Sequence, residues 1–383
     1  MTGIGGAFAL AASLLAAIWT PQALTETYTV LHGFYGFPGD GAGPDAGLTQ
    51  DSAGNLYGTT SGGGLGDVGT VFMVNSARQE TILHSFSVVD GEYPLAGVVR
   101  DSAGNLYGTT NGGGTVGWGV VFKLDPAGTE TVLHSFTAGE DGAMPSAGVI
   151  LDPAGNLYGT TALGGASGLG VVFKVDTSGT ETVLYSFSGA DGGSPAAGLI
   201  RDSEGNLYGT TRAGGAFEWG VVFKLSTTGT ETVLYSFTGE ADGGGPVADL
   251  IVDSAGNFYS TTQYGGVASG ISGYGVVFKL NASGMETVLH SFTGGADGGR
   301  PQAGLIRDSP GNLYGTANSG GALGYGVVFE LHTTGAEAVL HSFTESRGGN
   351  PTGPLIGDAA GNLYGTAAGG NPTNDGVVFI LRP

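Results

Sequence analysis

The fold is decided by residues 96–136, which read AGVVRDSAGNLYGTTNGGGTVGWGVVFKLDPAGTETVLHSF. Short runs of β-branched and aromatic residues alternate here with glycine-rich breaks, a pattern typical of β-strands joined by turns. We predict strand a at Ala96–Arg100, strand b at Asn105–Thr110, strand c at Gly119–Leu124 and strand d at Glu130–Phe136. The stretch has no helical period, so it predicts an all-β unit.

This unit recurs seven times along the chain. The string G-N-L/F-Y-G/S-T begins at Gly54, Gly104, Gly155, Gly205, Gly256, Gly311 and Gly361. The string V/I-L-H/Y-S/G-F ends at Phe34, Phe86, Phe136, Phe187, Phe237, Phe292 and Phe343. The string G-V/T-V-F begins at Gly69, Gly119, Gly170, Gly220, Gly275, Gly326 and Gly376. Landmarks that keep one order along the chain predict a tandem-repeat architecture.

The order of these landmarks predicts a closed ring. The chain begins with a lone strand d, Tyr28–Phe34, and ends with a strand c, Gly376–Leu381. Four short antiparallel strands per repeat form the blade of a β-propeller, and pairing the first strand with the last removes the open sheet edges. We therefore predict an all-β, seven-bladed β-propeller with four antiparallel strands per blade, closed by the N-terminal strand that completes the last blade.

The predicted propeller is a single domain over residues 26–383. We expect its blades at about 46–86, 96–136, 147–187, 197–237, 248–292, 303–343, and 353–383 plus 27–34.

The segment ahead of the ring has a different composition. Ala7–Trp19 is an apolar run of thirteen residues, which is too short to span a bilayer and is typical of a signal-peptide core. We expect residues 1–25 to be a signal peptide that is cut near Ala23 and makes no stable contact with the ring. Two features disagree with a standard signal peptide, since no lysine or arginine precedes Arg78 and Pro21 lies close to the expected cut. The alternative is an apolar helix that packs on the domain.

The charge balance excludes several classes of partner. The chain has 33 acidic and 12 basic residues and a net charge of −21. This charge opposes binding to nucleic acid, which requires clusters of lysine and arginine, and docking on anionic lipid. It suits cations, neutral ligands and basic partners. Because cysteine is absent, disulfides and thiolate chemistry are excluded. We expect a monomer without cofactor, metal, nucleic-acid partner or membrane insertion.

The repeat consensus is A-G-L-I-R-D-S-x-G-N-L-Y-G-T-T, then G-V-V-F-K-L, then G-T-E-T-V-L-H/Y-S-F-T-G-G-A-D-G. From Thr27 to Pro383 it resembles the Gloeobacter/Verrucomicrobia (GloVer) extracellular repeat of the choice-of-anchor tandem-repeat proteins. The resemblance implies an exported bacterial protein, and it implies no agreed activity and no catalytic residues. Many members add a C-terminal anchor, whereas this chain stops directly after the closing strand, so we expect release into the periplasm or medium. The D-x-x-G-N-L-Y hairpin is also similar to NHL-type propeller repeats, which mostly bind partners.

Loop lengths distinguish the two faces of the predicted ring. The a–b and c–d links are tight turns, whereas the d–a and b–c loops run to about ten residues. Long loops on a rigid scaffold usually carry function, so we predict that the face with the d–a and b–c loops binds the ligand. Its aromatic candidates directly precede G-V-V-F and are Trp118, Trp219, Tyr274 and Tyr325. They are interpreted as platforms for a sugar ring or a protein partner, and the alternative is packing between blades.

The d–a loops also carry the motif D-G-x-x-P. Its aspartates are Asp40, Asp90, Asp141, Asp191, Asp242 and Asp297, and Arg347 takes this place in the last copy. They are candidates for a ring of ligand-binding carboxylates, and the alternative is that each caps its own turn. One acid per blade supplies too few oxygens for calcium. The strand-d histidines do not indicate a metal site, because tyrosine replaces them at Tyr185 and Tyr235.

A single active site requires a group that occurs once. Asp249 replaces the glycine of A-G-L at the start of strand a in blade 5, near the predicted channel, and Asp242 is a candidate second carboxylate. Other groups that occur once are Glu140, Glu218, Glu240 and Arg212. We interpret the chain as a non-enzymatic extracellular binding or scaffold module with a glycan or protein ligand on the long-loop face. The alternative is a carbohydrate-active enzyme, a glycosidase or polysaccharide lyase, with one acidic site around Asp249.

Overall fold

The computed structural model describes residues 27–36, 38–268 and 270–382. The predicted signal peptide, residues 1–25, lies outside the described residues. Within the described ranges we find no helical segment with the length and hydrophobicity of a membrane span.

The described residues form short strands and a single 3₁₀ turn at Gly270–Ser272. The chain opens with β1 (Thr27–Gly33) and β2 (Gly41–Ala42). Blade 1 consists of β3 (Thr49–Gln50), β4 (Leu56–Thr60), β6 (Thr70–Val74) and β7 (Glu80–Ser85), with β5 (Gly62–Gly63) in its b–c loop. Blade 2 consists of β8 (Val99–Arg100), β9 (Leu106–Thr110), β10 (Val120–Leu124) and β11 (Glu130–Ser135). Blade 3 consists of β12 (Ile150–Leu151), β13 (Leu157–Thr161), β14 (Val171–Val175) and β15 (Glu181–Ser186).

Blade 4 consists of β16 (Ile200–Arg201), β17 (Leu207–Thr211), β18 (Val221–Leu225) and β19 (Glu231–Ser236). Blade 5 consists of β20 (Ile251–Val252), β21 (Phe258–Thr262), β22 (Val276–Leu280) and β23 (Glu286–Ser291). Blade 6 consists of β24 (Ile306–Arg307), β25 (Leu313–Ala317), β26 (Val327–Leu331) and β27 (Glu337–Ser342). Blade 7 consists of β28 (Ile356–Gly357), β29 (Leu363–Ala367), β30 (Val377–Arg382) and β1.

The ring closes as predicted. Blade 7 has the strand order β28–β29–β30–β1, and β1 pairs antiparallel with β30 from Thr27↔Arg382 to Gly33↔Val377. The other blades each form a four-stranded antiparallel sheet from consecutive strands. The all-β, seven-bladed propeller with an N-terminal strand in its last blade is therefore confirmed.

Strand a is shorter than predicted and is reduced to its last two residues, Val99–Arg100 in blade 2. The preceding Ala-Gly pair lies at the central channel, where neighbouring blades approach closely. A Cβ added at Gly97 would lie 2.5 Å from the carbonyl oxygen of Gly47 in the preceding blade. Glycine at this position of blade 2 permits the close approach, and regular pairing begins at Val99.

Phenylalanines form the core between blades. The strand-d Phe86 of blade 1 packs edge-on against the strand-c Phe122 of blade 2, with ring centroids 5.1 Å apart. Equivalent pairs join every blade to the next, and they are Phe34–Phe72, Phe136–Phe173, Phe187–Phe223, Phe237–Phe278, Phe292–Phe329 and Phe343–Phe379. These rings are almost fully buried. The two repeated phenylalanines therefore hold the blades together.

The D-S-x-G-N-L-Y motif forms the a–b turn. In blade 2 the Asp101 carboxylate accepts hydrogen bonds from the backbone N–H and side chain of Asn105 and from the Tyr107 hydroxyl. These donors hold the pKa of Asp101 below its usual value against a rise caused by desolvation. The motif is thus a turn-stabilising network. We call this side of the ring the tight-turn face and the side with the d–a and b–c loops the long-loop face.

Candidate functional site

The long loops are fastened to each other by backbone hydrogen bonds. In blade 1, β2 of the d–a loop pairs with β5 of the b–c loop. Single bridges occupy the same place in the other blades, at Glu92↔Gly112, Ala143↔Leu163, Gly193↔Ala213, Gly244↔Tyr264, Gly299↔Ser319 and Gly349↔Gly369. Gly214 beside one bridge has φ of +76°, and a Cβ there would lie 2.5 Å from the Gly189 carbonyl oxygen. The long-loop face is therefore preorganised, which reduces the ordering cost of binding.

The predicted aromatic platforms lie at four different blade junctions, and most of them pack on the next loop. A Cβ added at Gly239 would lie 2.5 Å from the Trp219 ring, and one at Gly294 would lie 2.3 Å from the Tyr274 ring. Tyr325 is likewise partly buried, whereas Trp118 is 39% exposed. One face of these rings therefore packs between blades, as the alternative interpretation expected. The other face is left for a ligand.

One junction on this face has a pocket beside its tryptophan. The pocket, about 300 Å³ in volume, lies between blades 4 and 5. We call it the long-loop pocket, and it is lined by Ser194, Arg212, Ala213, Glu218, Trp219, Gly245 and Tyr264. The rings of Trp219 and Tyr264 meet edge-on with centroids 6.3 Å apart. Arg212 and Glu218 are exposed at the surface of the pocket. An aromatic pair, a cation, an anion and a hydroxyl thus converge on one cavity.

These lining residues depart from the repeat. At the position of Arg212 the other repeats have Ser61, Asn111, Ala162, Gln263, Asn318 and Ala368. At the position of Tyr264 they have Gly62, Gly112, Leu163, Ala213, Ser319 and Gly369. Sequence reasoning identified Arg212 and Glu218 as groups that occur once but did not bring them together, and it missed Tyr264. The signal for Tyr264 was a tyrosine where every other repeat has a smaller or aliphatic side chain.

The loop aspartates lie at the outer ends of the blades, beside strand d. Asp90 accepts a 2.6 Å hydrogen bond from the Ser87 N–H and lies 3.2 Å from Nε2 of His84. Asp242 accepts hydrogen bonds from the Thr238 N–H and the Tyr235 hydroxyl, both at 2.9 Å. The same arrangement recurs at Asp40, Asp141, Asp191 and Asp297. Each aspartate therefore caps its own loop and anchors the polar side chain of strand d.

Sequence reasoning missed the third member of this arrangement, the glutamate that begins the next strand d. These residues are Glu80, Glu130, Glu181, Glu231, Glu286 and Glu337. The charge of the loop aspartate of the preceding blade contributes to raising the pKa of each glutamate. We call each set of a strand-d His or Tyr, its loop residue and the first strand-d residue of the next blade a perimeter junction. The signal was a Glu at the start of strand d in six repeats, which lies in the string G-x-E-T in four of them.

Burial and the neighbouring carboxylate shift the glutamate pKa values upward. Desolvation, followed by repulsion from Asp90, raises the pKa of Glu130 to about 7. The pKa is also about 7 for Glu80, Glu181, Glu231 and Glu286. The Oε1 atoms of these glutamates are buried without a hydrogen-bond partner. These glutamates therefore keep their protons up to about neutral pH, well above the usual range of a carboxyl.

The first junction has the spacing of a metal site. Among the described residues, His32, Asp40 and Glu80 form the one group whose ligand atoms all lie within 4.8 Å of one another. These three residues could hold a metal ion, with one nitrogen and two carboxylate oxygens as ligands. The expectation that the protein holds no metal stays a prediction.

The mouth of the central channel contains two carboxylates. It forms a pocket of about 490 Å³ that is lined by the residues around the start of strand a in each blade. Oδ1 of Asp249 accepts a 2.6 Å hydrogen bond from the Gly198 N–H, and the surrounding channel walls raise the pKa of this carboxyl by desolvation, although the residue is exposed in the channel mouth. Asp45 also lines the mouth, and burial raises its pKa.

The structure does not bring Asp242 to Asp249. Asp242 is held at the outer junction by Tyr235 and Thr238, so the second carboxylate of the channel is Asp45. The reason is that the d–a loop crosses the whole blade, from strand d at the outer edge to strand a at the channel. Glu140 and Glu240 are exposed on d–a loops and line neither the channel mouth nor the long-loop pocket.

The architecture defines the class of protein: a propeller of near-identical repeats, in which the repeated residues build the scaffold and the departures line the pocket and the channel. The chain belongs to the Gloeobacter/Verrucomicrobia repeat family, whose model matches residues 17–151, 132–270 and 242–383. A comparison with curated protein sequences finds no match.

Solved structures share the fold at low sequence identity. The extracellular domain of a B. thetaiotaomicron protein assigned as a one-component system is 12% identical with a TM-score of 0.59, over 88% of this chain and 38% of that chain. This chain thus spans well under half the length of that protein. A Bacteroides fragilis protein assigned as a 6-phosphogluconolactonase is 15% identical with a TM-score of 0.51, over 82% of this chain and 87% of that one. At these identities the likeness concerns the fold alone.

Proposed function

We propose that this protein is an exported binding module that holds a glycan in the long-loop pocket between blades 4 and 5. The observation that carries the proposal is the meeting of Arg212, Glu218, Trp219 and Tyr264 in one cavity, where other repeats have different or smaller side chains. The other repeats form their junctions without these side chains, so the convergence of the departures favours a role in binding.

The chemistry of the pocket fits a sugar. Its volume of about 300 Å³ lies at the lower end of ligand sites. The Trp219 and Tyr264 rings offer apolar surface to the C–H groups of a pyranose. Arg212 offers hydrogen-bond donors, Glu218 offers acceptors and the Ser194 hydroxyl offers both. The family resemblance and the signal-like N-terminus support export.

A glycan array, followed by calorimetry on the best ligand, tests this proposal. We expect Trp219→Ala to weaken binding at least tenfold, which corresponds to about 1.4 kcal/mol, and Arg212→Ala to act in the same direction. Trp118→Ala is the matched control, because Trp118 has the same repeat position two blades away. Equal affinity of the wild type and the Trp219→Ala variant would refute the site.

Salt distinguishes the two kinds of ligand on this face. Affinity for a neutral glycan should barely change with ionic strength, whereas a basic protein partner of this chain, whose net charge is −21, should bind more weakly as salt rises. A ligand that is found only among basic proteins, with strong salt dependence, would replace the glycan by a protein partner.

The channel mouth favours a second candidate, a carbohydrate-active enzyme. Two carboxylates, Asp45 and Asp249, line one cavity of about 490 Å³, and the pKa of each is shifted upward, which is the direction that a general acid requires. Reducing-end release from a panel of polysaccharides, abolished in an Asp249→Asn variant that retains its fold, would support this candidate. No release from any of them would leave binding as the function.

A further inference from the structure

The first perimeter junction lies where the closing strand meets blade 1. It brings together His32 of β1, Asp40 of the d–a loop that follows, and Glu80 at the start of β7. Strand β1 belongs to blade 7 and β7 belongs to blade 1. The three side chains therefore connect the N-terminal strand to the neighbouring blade, whereas its backbone pairing connects it to β30 of blade 7.

This junction departs from the others in the contact between its histidine and its aspartate. Nε2 of His32 lies 3.8 Å from Oδ1 of Asp40, which is too long for a hydrogen bond. The corresponding distances are 3.2, 3.4 and 3.5 Å at the junctions of His84, His134 and His290. In the part of the chain that the structure describes, Nε2 of His32 and Oε1 of Glu80 are buried and have no hydrogen-bond partner. The fold itself thus makes no use of these two potential ligand atoms.

Two differences in the loop account for this departure. Asp40 follows His32 by eight residues, whereas the interval is six or seven residues at the other histidine junctions. Tyr35 also takes the place of a hydroxyl residue that donates a hydrogen bond to the loop aspartate in other repeats, as Ser87, Thr137, Thr238 and Thr293 do. Asp40 instead accepts hydrogen bonds from the N–H groups of Tyr35 and Gly41, at 2.8 and 2.7 Å.

The ligand atoms of the first junction suit a transition metal ion. They all lie within 4.8 Å of one another. Tetrahedral zinc with ligands at about 2.1 Å requires ligand atoms about 3.4 Å apart. Side-chain rotations that close the His32–Asp40 distance by about 0.4 Å, and the other two by at most about 1.4 Å, would therefore form the site.

The surroundings orient two of the ligands. The Phe34 ring packs edge-on against the His32 ring with centroids 4.7 Å apart, and the two backbone N–H groups fix the Asp40 carboxylate. Contacts of this kind around the ligands position them for the metal. One nitrogen and two carboxylates supply too few oxygens for calcium, which takes six to eight. The ligand set therefore favours zinc or a similar divalent transition metal ion.

We propose that the first junction binds one divalent transition metal ion, zinc by preference, which fastens the closing strand β1 to blade 1. His32 supplies Nε2, Asp40 and Glu80 each supply a carboxylate oxygen, and water completes the coordination. Because these ligands meet only in the folded ring, binding of the ion stabilises the closed state.

This proposal replaces the expectation of a chain without metal. That expectation rested on the tyrosines that replace histidine at Tyr185 and Tyr235. Such replacements argue against a metal site that recurs in every repeat, but not against a site at one junction. The proposal does not depend on the glycan, whose pocket lies between blades 4 and 5.

The third junction is a matched control within the same chain. His134, Asp141 and Glu181 occupy the same repeat positions there, and Nε2 of His134 and Oε1 of Glu181 also lack hydrogen-bond partners among the described residues. Asp141, however, is held by both the N–H and the hydroxyl of Thr137. In the described ranges, the ligand atoms of this junction do not form a group within 4.8 Å. We therefore expect it to bind zinc at least tenfold more weakly.

Calorimetric titration of Zn²⁺ into the untagged full chain, freed of metal with EDTA, tests the proposal. We expect one ion per chain, and a melting temperature raised by about 3–5 °C when free Zn²⁺ exceeds its Kd a hundredfold. Ca²⁺ at the same concentration should not raise it. His32→Gln and Glu80→Gln should each weaken zinc binding at least tenfold, whereas His134→Gln and Glu181→Gln should leave the affinity unchanged.

Several results would overturn the proposal. These are no zinc binding by the wild type, equal affinity of a folded His32→Gln variant, or loss of binding in His134→Gln alone. Should His32→Gln fail to fold, Glu80→Gln decides, because it removes a ligand charge and keeps the size of the side chain. Binding without a rise in melting temperature would contradict the fastening of β1. Glycan binding at the long-loop pocket should be the same with and without zinc, so its failure is a separate result.

Discussion

Six perimeter junctions connect neighbouring blades with one set of polar side chains, and the seventh does so with a different set. Six join a His or Tyr, an aspartate and the first glutamate of the next strand d, as His134, Asp141 and Glu181 do. The seventh, where β1 closes the ring, has His341, Arg347 and Tyr28 in these places, since Tyr28 pairs with Leu381 of strand c as Glu130 pairs with Leu124. The Tyr28 ring stacks on the His341 ring with centroids 3.9 Å apart and an interplanar angle of 1°. Its hydroxyl donates a 2.5 Å hydrogen bond to the Arg347 carbonyl oxygen.

The two kinds of junction differ in whether their side chains change protonation state near neutral pH. Five glutamates at the ordinary junctions have pKa values of about 7, so those junctions change charge near neutral pH. At the closing junction burial raises the pKa of Tyr28 and lowers that of His341 to about 4, so both rings are neutral there. The closing junction joins strands from opposite ends of the chain, so no short covalent connection holds it. Aromatic stacking and hydrogen bonds hold it instead.

Removing the closing strand should have the largest effect. Deletion of residues 1–34 exposes the buried Val377, Phe379 and Leu381 of β30 and opens the ring. Whole domains are stable by only about 5–15 kcal/mol, and we expect the loss of closure to remove most of that stability. The shortened chain should therefore show no cooperative thermal transition in calorimetry. A chain that begins at Glu26 is the control and should melt like the full chain. A cooperative transition at the same temperature in the longer deletion would show that closure does not hold the ring.

Replacing the closing aromatic should have the next largest effect. Tyr28→Glu introduces the residue of the other junctions but removes the stack on His341 and the contacts with Phe343 and Phe379. We expect a loss of about 3–5 kcal/mol, the range for removal of a buried aromatic ring, measured by denaturant unfolding. Tyr28→Phe keeps the ring and should lose only about 1 kcal/mol with its hydrogen bond. If the two variants are equally stable, the stack contributes little to closure.

The smallest effect concerns pH and the ordinary junctions. A glutamate with a pKa of about 7 in the folded ring and 4.5 when exposed loses its proton first in the unfolded chain, so stability falls as pH rises from about 4.5 to 7. His134, His290 and His341 act in the opposite direction, because their pKa values are lowered and acid favours their unfolded form. The glutamates outnumber them.

We therefore expect a melting temperature roughly 2–5 °C higher at pH 5.5 than at pH 7.5, since partial exposure screens each group. Glu130→Gln and Glu181→Gln together should reduce this difference, whereas Glu204→Gln, an exposed residue in a tight turn, should not. A ring that is more stable at pH 7.5 would contradict the role assigned to the junction glutamates.

Part of the candidate site was predictable. The departures Arg212 and Glu218 were visible as breaks in a repeat, and Trp219 as an aromatic at the start of strand c. The sequence left open whether Trp219 is a platform for a ligand or packs between blades, because it does not give the distance between blades. The structure shows that Trp219 packs on the glycines of the next loop. Asp249 and Asp242 do not form a pair, although they are close in sequence. The d–a loop that contains them crosses the blade, so Asp242 lies at the outer edge and Asp249 at the channel.

The sequence by itself determined the number of blades, the strand order and the closure by Tyr28–Phe34, because each rests on local signals repeated seven times and on the order in which they occur. Only the tertiary structure decided which residues of different repeats meet. The outer strands follow one another around the rim, so Glu130 of one blade reaches Asp90 of the blade before it, and Tyr264 of blade 5 reaches Trp219 of blade 4. Such contacts depend on the rotation between packed sheets, which no short sequence pattern specifies.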